Sequence, residues 1–291
     1  MERRPNYVLV TAARNARKTI GRTIDSICEQ SLPPIVWCIV SDSSDDGTDK
    51  LVERAANRYK FISPLRVERA GGYSFMRKVA AIRMAEALLE RVPHEYFGIL
   101  DADIEIAPDY YESMIREFEM NPSLGIAGGE IVQVVDRQFE RRIKSRRSVA
   151  GAIQLFRRQC YRDCGGLVPL RYGGEDAAAE IRARMKDWEV RTFDDHVVLH
   201  QGVVGAREGS RLRSRFRWGQ MNFHLGYAPS FELTRCVYRV RDKPILLGSL
   251  AELLGFVVTR LRDGKPSLSP EVVEFLRAEQ RGELRRVLSG E

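Results

Sequence analysis

The sequence predicts an α/β protein: a Rossmann-like, mostly parallel sheet with helices on both faces, followed by a C-terminal helical appendage. Two observations carry this expectation. Short apolar runs alternate with helical patterns through the first half of the chain, and after Pro122 that rhythm gives way to longer strands and, finally, to two helical segments starting near Pro244 and Pro270. Strand, helix, strand, helix is how a parallel sheet covered on both faces reads. A third observation bounds the alternatives: 291 residues, 44% apolar and 30% charged, can bury a sizeable core and do not have the composition of a disordered chain.

The elements follow in order. Tyr7-Val-Leu-Val-Thr11 reads as a buried strand, and Ile20, Ile24 and Ile27 recur at i, i+4 and i+7, as on one face of a helix. Val36 to Val40 is a second strand, followed by a polar loop and a helix beginning near Thr48 and Asp49, residue types suited to a cap and a first turn. Gly71-Gly72 breaks the chain before a helix started by Ser74 and carrying Val79, Ile82 and Leu89. Phe97 to Leu100 is a further strand, and Pro108 suits the first position of the next helix. Ile126 to Val135 and Val149 to Phe156 read as strands flanking a basic loop with Arg137, Arg141, Arg142, Lys144, Arg146 and Arg147. A helix from Glu175 to Lys186, with Ala178, Ile181 and Met185 on one side, precedes a strand near Val197 to Leu199. The expected division is a sheet-forming α/β part over residues 1–205 and a basic, helical part over 206–291.

Charge and cysteine usage narrow the class. With 47 basic and 40 acidic side chains the net charge is +7, mildly favourable to anionic partners. Five cysteines, at 28, 38, 160, 164 and 236, form an odd and sparse set, which points to a reducing compartment, not a disulfide scaffold. Zinc is disfavoured because Cys160 and Cys164 lack a second ligand pair at suitable spacing. The opening apolar run is too short for an export signal, so a cytoplasmic location is expected. Leu246, Leu250, Leu253, Leu254, Val257 and Leu261 recur at helical spacing in a stretch too short and too interrupted to span a bilayer. They read either as an amphipathic helix packed on the domain or as a peripheral membrane contact.

In a doubly wound sheet the chemistry sits where strands end and the strand order reverses. Three such places carry acids: Asp42 in Ser41-Asp-Ser-Ser-Asp-Asp-Gly-Thr48, the pair Asp101 and Asp103 after Phe97-Gly-Ile-Leu100, and Glu175-Asp176 behind Gly173-Gly174. Two carboxylates at i and i+2 after a buried strand can share one hard cation, although an aspartate there also serves simply to turn the chain. Glu175-Asp176 has an equally plain reading as the acidic first turn of a helix.

Taken together, Val10-Thr-Ala-Ala-Arg-Asn15, Lys18-Thr-Ile-Gly-Arg-Thr-Ile24, Gln30-Ser-Leu-Pro-Pro34, Val40 to Thr48, Leu100-Asp-Ala-Asp103 and Gly173-Gly-Glu-Asp176 resemble family 2 glycosyltransferases of the GT-A fold, over residues 7 to 200. The resemblance implies a metal-dependent inverting glycosyltransferase using a nucleotide-diphosphate sugar. It implies that Thr11, Ala12, Ala13, Arg14, Asn15 and Asp42 cradle the nucleotide, that Arg77 helps hold it, and that Asp101 contacts both the ribose and the ion. It further implies that Asp101 and Asp103 hold Mn2+ or Mg2+ with His200 approaching it, and that Asp176 deprotonates the acceptor. The sequence departs from the pattern at Ala12, Ala16, Ser41 and Lys78, which leaves base and sugar open. The acceptor, a saccharide, lipid or protein, is open as well.

Arg207, Arg211, Arg213, Arg215 and Arg217, interleaved with Leu212, Phe216 and Trp218, read either as a mobile loop that closes over an anionic ligand or as a solvated helix face. Nucleic acid is disfavoured as a partner, because the acids at the strand ends would repel it. His94 and His224 read as structural, and His196 and His200 share a strand face, with Asp194 and Asp195 nearby. Rival readings are a sugar-phosphate nucleotidyltransferase, disfavoured because Ala12 to Lys18 lacks glycine, and a non-catalytic binding protein on the same fold.

Overall fold

The computed structural model describes residues 5–69, 71–72, 74–135, 138–141, 146–201, 211–242 and 244–289. The expected 205/206 division, together with Arg137, Arg142, Lys144 and Arg207 of the two basic stretches, lies outside the described residues. Four strands, β1 (Tyr7–Ala13), β2 (Val36–Asp42), β3 (Ile62–Val67) and β4 (Tyr96–Leu100), run parallel in the order β3-β2-β1-β4. They are joined by α1 (Ile20–Cys28), α2 (Thr48–Arg58) and α3 (Phe75–Leu89). Beyond β4 the sheet continues through β8 (Ile153–Arg157), β6 (Leu124–Val135), β9 (Glu189–His200) and β5 (Ile104–Ile106), with β7 (Gln138–Arg141) folded onto β6. This second half is mixed: β8 is antiparallel to β4 and β6, and β5 to β9, whereas β6 and β9 are parallel. The helices α4 (Tyr110–Met120), α5 (Arg158–Asp163) and α6 (Glu175–Met185) complete the layers.

The two-residue period of β1 divides the core. Tyr7 and Leu9 face one side with Trp37, Ile39, Phe118 and the isoleucines of α1. Val8 and Val10 face the other with Cys38, Val40, Val79 and Ile82. A strand buried on both faces must be apolar throughout, which is why it was readable as a run.

Several local expectations need correction. Thr48 is the first residue of α2, not its cap: Gly47 occupies that place at φ +93°, and the Asp46 carboxylate accepts from the Thr48 N–H (3.0 Å) and hydroxyl (2.6 Å). Pro108 lies before Asp109, which caps α4. The strand expected from Val149 starts only at Ile153, because the Val149 N–H turns away to Glu180 Oε1 (2.7 Å). The sequence reading passes over β3, whose central Pro64 is tolerable at the sheet's outer edge. Ser74 does cap α3, its hydroxyl accepting from the Arg77 N–H (3.2 Å).

The C-terminal region contains α7 (Arg211–Leu225), α8 (Pro229–Tyr238), α9 (Leu247–Asp263) and α10 (Pro270–Ser289). Residues 211–217, read as loop or solvated face, form the start of α7, with Arg215 buried. It packs on α9 through glycines: a Cβ on Gly219 would strike the Glu252 backbone, and one on Gly255 the Phe216 backbone. Between these helices Glu252 is fully buried and meets Arg215 (3.0 Å), Arg235 (3.1 Å) and Arg239 (3.6 Å). Of the two readings of the α9 leucines, packing on the domain does not hold for Leu250, Leu254, Val257 and Leu261, which are exposed. The inward face is Gly248, Ser249, Glu252, Gly255, Phe256 and Thr259; the close approach of the helix pair at Gly219 and Gly255 fixes that side inward. Against α6, α10 packs Val272 and Leu276 on Ala178 and Ile181.

Two outcomes follow. Gly219→Ala or Gly255→Ala should lower stability in urea unfolding by about 1–3 kcal/mol or more, whereas Gly282→Ala on α10, where a Cβ meets nothing within 4 Å, should leave it unchanged or raised. Burial, and next the Asp176 carboxylate, push Glu180 up to about 7 from the usual 4.5. A carboxyl raised on folding contributes stability that is full below 4.5 and lost as pH rises through about 7. Glu180→Gln should therefore remove part of the wild-type fall in unfolding free energy between pH 4.5 and pH 7.5, on the order of 2–3 kcal/mol. Parallel slopes for the two proteins would refute the assignment.

Candidate active site

The strand order β3-β2-β1-β4 reverses direction at β1, and a cleft opens above its carboxyl end, where an α/β sheet binds ligands. The cleft is lined by the ends of three strands and by the first turns of α3: Ala12, Ala13 and Arg14 after β1, Asp42 at the end of β2, Asp101 to Asp103 after β4, and Ser74, Arg77, Lys78 and Ala81 from α3. The amino end of α3 therefore borders the cleft, and the helix dipole makes that end a place suited to an anion.

Two consecutive residues of that turn reach opposite walls. Arg77 donates from Nε to Asp42 Oδ2 (3.0 Å) and from Nη2 to Asp42 Oδ1 (2.7 Å). Burial alone would raise the Asp42 carboxyl, but the hydrogen bond and charge of Arg77 outweigh it and hold it below the usual carboxylate range. Lys78 Nζ lies 2.6 Å from Asp101 Oδ1. On the next residue but one, Asp103 Oδ1 lies 3.6 Å from His200 Nε2, because β5 pairs with β9 in a register that sets Ile104 opposite His200. The Gln201 N–H donates to the Asp103 carbonyl (2.9 Å) and fixes the same junction.

The third acid motif approaches through one loop. Asp101 N–H donates to the Ala152 carbonyl (2.9 Å), while Gly151 N–H donates to Asp176 Oδ2 (3.2 Å), so residues 151 and 152 hold the two acid motifs at a fixed spacing. Gly174, at φ +92°, makes the turn that starts α6 and leaves Asp176 in its first turn. Glu175 is buried beside Asp176, Lys78 and Asp101. Burial first, and the Asp176 charge second, push it up to about 7, and its Oε2 has no hydrogen-bond partner among the described residues.

The sequence-expected residues divide accordingly. Ala12, Ala13, Arg14, Asp42, Arg77, Asp101 and Asp103 line one cleft, His200 closes on Asp103, and Asp176 lies behind the 151–152 loop. Thr11 is fully buried and its hydroxyl accepts from the Trp37 indole N–H (2.9 Å), so its side chain supports the floor and does not line the cleft. Asn15 is bound to the neighbouring loop through Ser44 and Asp45. Sequence reasoning gave no role to Lys78 or Glu175; Arg217, read there as part of a basic loop or solvated helix face, lies over Phe75 (4.7 Å to the ring centroid) and donates to the Tyr172 carbonyl (2.7 Å). Lys78 was legible only as a departure from the resembled pattern; a cation one residue after Arg77 at a helix start was the signal. His94 and His224 are structural as expected, bonded to the Val92 carbonyl (2.7 Å) and to Ser267 (2.8 Å).

Among the described residues no three His, Cys, Asp or Glu side chains already converge as a metal centre. The donor chemistry nevertheless fits a divalent ion whose remaining ligands come from a diphosphate: a carboxylate and an imidazole nitrogen face each other, with a second carboxylate two residues away. An imidazole beside carboxylates suits Mn2+ better than Mg2+.

Comparison with known proteins agrees with this geometry. The profile described as "Glycosyl transferase family 2" matches residues 8–173, more than half of the chain. A beta-monoglucosyldiacylglycerol synthase from Synechocystis sp. is 23% identical over 69% of this chain and 42% of its own length. A poly-beta-1,6-N-acetyl-D-glucosamine synthase from Staphylococcus epidermidis is 26% identical over 72% and 52%. The chain thus spans about half the length of these curated relatives. Among solved structures, a mannosyltransferase from Pyrobaculum calidifontis in complex with GDP-Man and Mn2+ superposes with a TM-score of 0.56 at 17% identity, over 98% of this chain and 81% of that one. S. aureus TarS in complex with UDP-GlcNAc gives 0.55 at 12% identity, over 88% and 73%. The fold is the GT-A fold, and on the extent of the profile match the chain belongs to glycosyl transferase family 2.

Proposed function

We propose that the chain transfers a sugar, with inversion and with the help of Mn2+ or Mg2+, from a nucleotide-diphosphate sugar to a hydroxyl of a saccharide or lipid acceptor. The observation that carries this reading is the convergence of Arg77–Asp42, Lys78–Asp101 and Asp103–His200 on one cleft at the switch point of the sheet. The names of the two relatives, synthases of a glucosylated diacylglycerol and of a β-linked polysaccharide, favour the two acceptor classes.

Each residue has a role that follows from its place. Arg14, Asp42 and Arg77 form the wall nearest the end of β1 and hold the nucleoside. Lys78 and the amino end of α3 bring positive charge to the diphosphate. Asp103 and His200 would hold the divalent ion, with Asp101 beside them. That ion, when bound, neutralises charge growing on the departing diphosphate as a Lewis acid. Asp176 takes the acceptor's proton as its oxygen attacks the anomeric carbon. The 151–152 loop keeps Asp176 at a set distance from Asp101.

Two substitutions separate binding from chemistry. Asp176→Asn should keep nucleotide-diphosphate affinity and lower transfer by about 10²–10⁴-fold. Asp103→Ala should abolish the Mn2+-dependent part of nucleotide binding in calorimetric titration while the circular dichroism spectrum is unchanged. Normal transfer by Asp176→Asn would place the base elsewhere, and undiminished metal-dependent binding by Asp103→Ala would refute the ion's position.

A further inference from the structure

The leucines that the inverted packing of α9 leaves outside form a continuous surface. Leu247, Leu250, Leu254, Val257, Val258 and Leu261 are all exposed, Leu250 at 62% and Leu261 at 81%. At about 100° per residue they fall in a stripe about 100° wide along one side of the helix. The end of α8 adds Val237 and Tyr238, the latter 87% exposed, and the connecting segment adds Ile245 and Leu246. Monomeric surfaces seldom leave so much contiguous apolar area in water.

The charge around the stripe selects its partner. From Pro244 to Arg262 the sole carboxylate is Glu252, and it is buried against Arg215, Arg235 and Arg239 on the opposite face. Among the described residues the exposed charges from Arg241 to Lys265 are cationic on balance: Arg241, Arg260, Arg262 and Lys265 stand against Asp242 and Asp263, and both of those acids are already ion-paired, Asp242 with Arg239 (2.9 Å) and Asp263 with Arg262 (2.7 Å). A second copy of the chain laid on the same face would bring leucines to leucines but offer those cations only Asp242 and Asp263, both already paired with arginines of their own chain. A sheet of anionic headgroups over hydrocarbon satisfies both the leucines and the cations, which is how an interfacial helix binds. Among the described residues no helix is long and apolar enough to cross a membrane, so the helix would lie flat.

We propose that the α9 stripe, with the end of α8, docks the protein on an anionic lipid bilayer. The docking places the active site at the membrane surface. Arg262, at the last turn of α9, donates to the Tyr172 hydroxyl (2.6 Å), and Tyr172 immediately precedes the Gly173-Gly174 turn that presents Asp176. A helix seated on the headgroups therefore holds the acid loop near the bilayer, where a hydroxyl borne by a lipid would arrive. The docking itself does not depend on the proposed transfer reaction; only this last consequence rests on it.

The test is sedimentation with vesicles of phosphatidylcholine containing one quarter phosphatidylglycerol, compared with pure phosphatidylcholine, using the 291-residue chain. The wild-type chain is expected to partition onto the anionic vesicles and to release from them at high salt. The pair Leu250→Glu and Leu254→Glu, both at exposed positions, should lower the partition coefficient by at least about tenfold while nucleotide-diphosphate binding and the melting temperature stay at wild-type values. Arg260→Glu should weaken binding to the anionic vesicles alone. Wild-type protein that stays in solution overturns the proposal, as does equal partition of the double variant. A concentration-dependent dimer that the double variant abolishes, without vesicle binding by the wild type, assigns the face to a second copy and overturns it too. Because the readout is sedimentation, a failure of the glycosyl-transfer reading would leave this result unaffected.

Discussion

The site depends on two consecutive cations at the start of one helix, Arg77 and Lys78, which reach acids on opposite sides of β1. Neighbours on a helix point roughly 100° apart, so one turn can address two walls of a cleft. Arg77 takes Asp42 at the end of β2, and Lys78 takes Asp101 beyond β4. Because β1 lies between those strands, the two ion pairs span the switch point of the sheet. Without them Asp42, Asp101, Asp103, Glu175 and Asp176 would crowd one rim with uncompensated negative charge. The raised Glu175 carboxyl records what remains of that crowding after burial.

The second constraint is the short loop at residues 151 and 152. Its neighbouring backbone groups bond to the Asp101 amide on one side and to the Asp176 carboxylate on the other. Both bonds involve backbone groups of the loop, so the spacing between the Asp101 and Asp176 motifs is set by the chain itself. Glu180 anchors the start of the same loop at Val149 and ties α6 to it. The acids of α6 thus have three different settings: Glu180 holds the Val149 N–H, Glu175 is buried beside Asp176, and Asp176 holds the Gly151 N–H.

Much of this was legible in the sequence. Strands buried on both faces, such as β1, β2 and β4, announce themselves as apolar runs, and the acids that follow them mark the switch point. Two strands were less readable: β5, in the mixed half of the sheet, is three residues long, and β3, at the edge of the parallel half, carries a proline. The His200–Asp103 contact depends on the pairing of β5 with β9, a long-range register that no local pattern encodes. Lys78 and Glu175 were hidden for a different reason: each looks like an ordinary helix-start residue until its neighbours across the cleft are known. The orientation of α9 was left open because leucine periodicity reveals that a helix has an apolar stripe and not which side is buried. The glycines Gly219 and Gly255, meeting backbone to backbone, decided that.

The central claim is that the cleft above β1 receives the nucleotide diphosphate. The most direct measurement is a crystal structure of the chain grown with a nucleoside diphosphate and Mn2+. The account predicts the nucleoside beside Arg14 and Asp42 and the diphosphate near Lys78, with an ion on Asp103 and His200. A nucleotide bound elsewhere on the molecule, with the Arg77–Asp42 and Lys78–Asp101 pairs closed over an empty cleft, would contradict it.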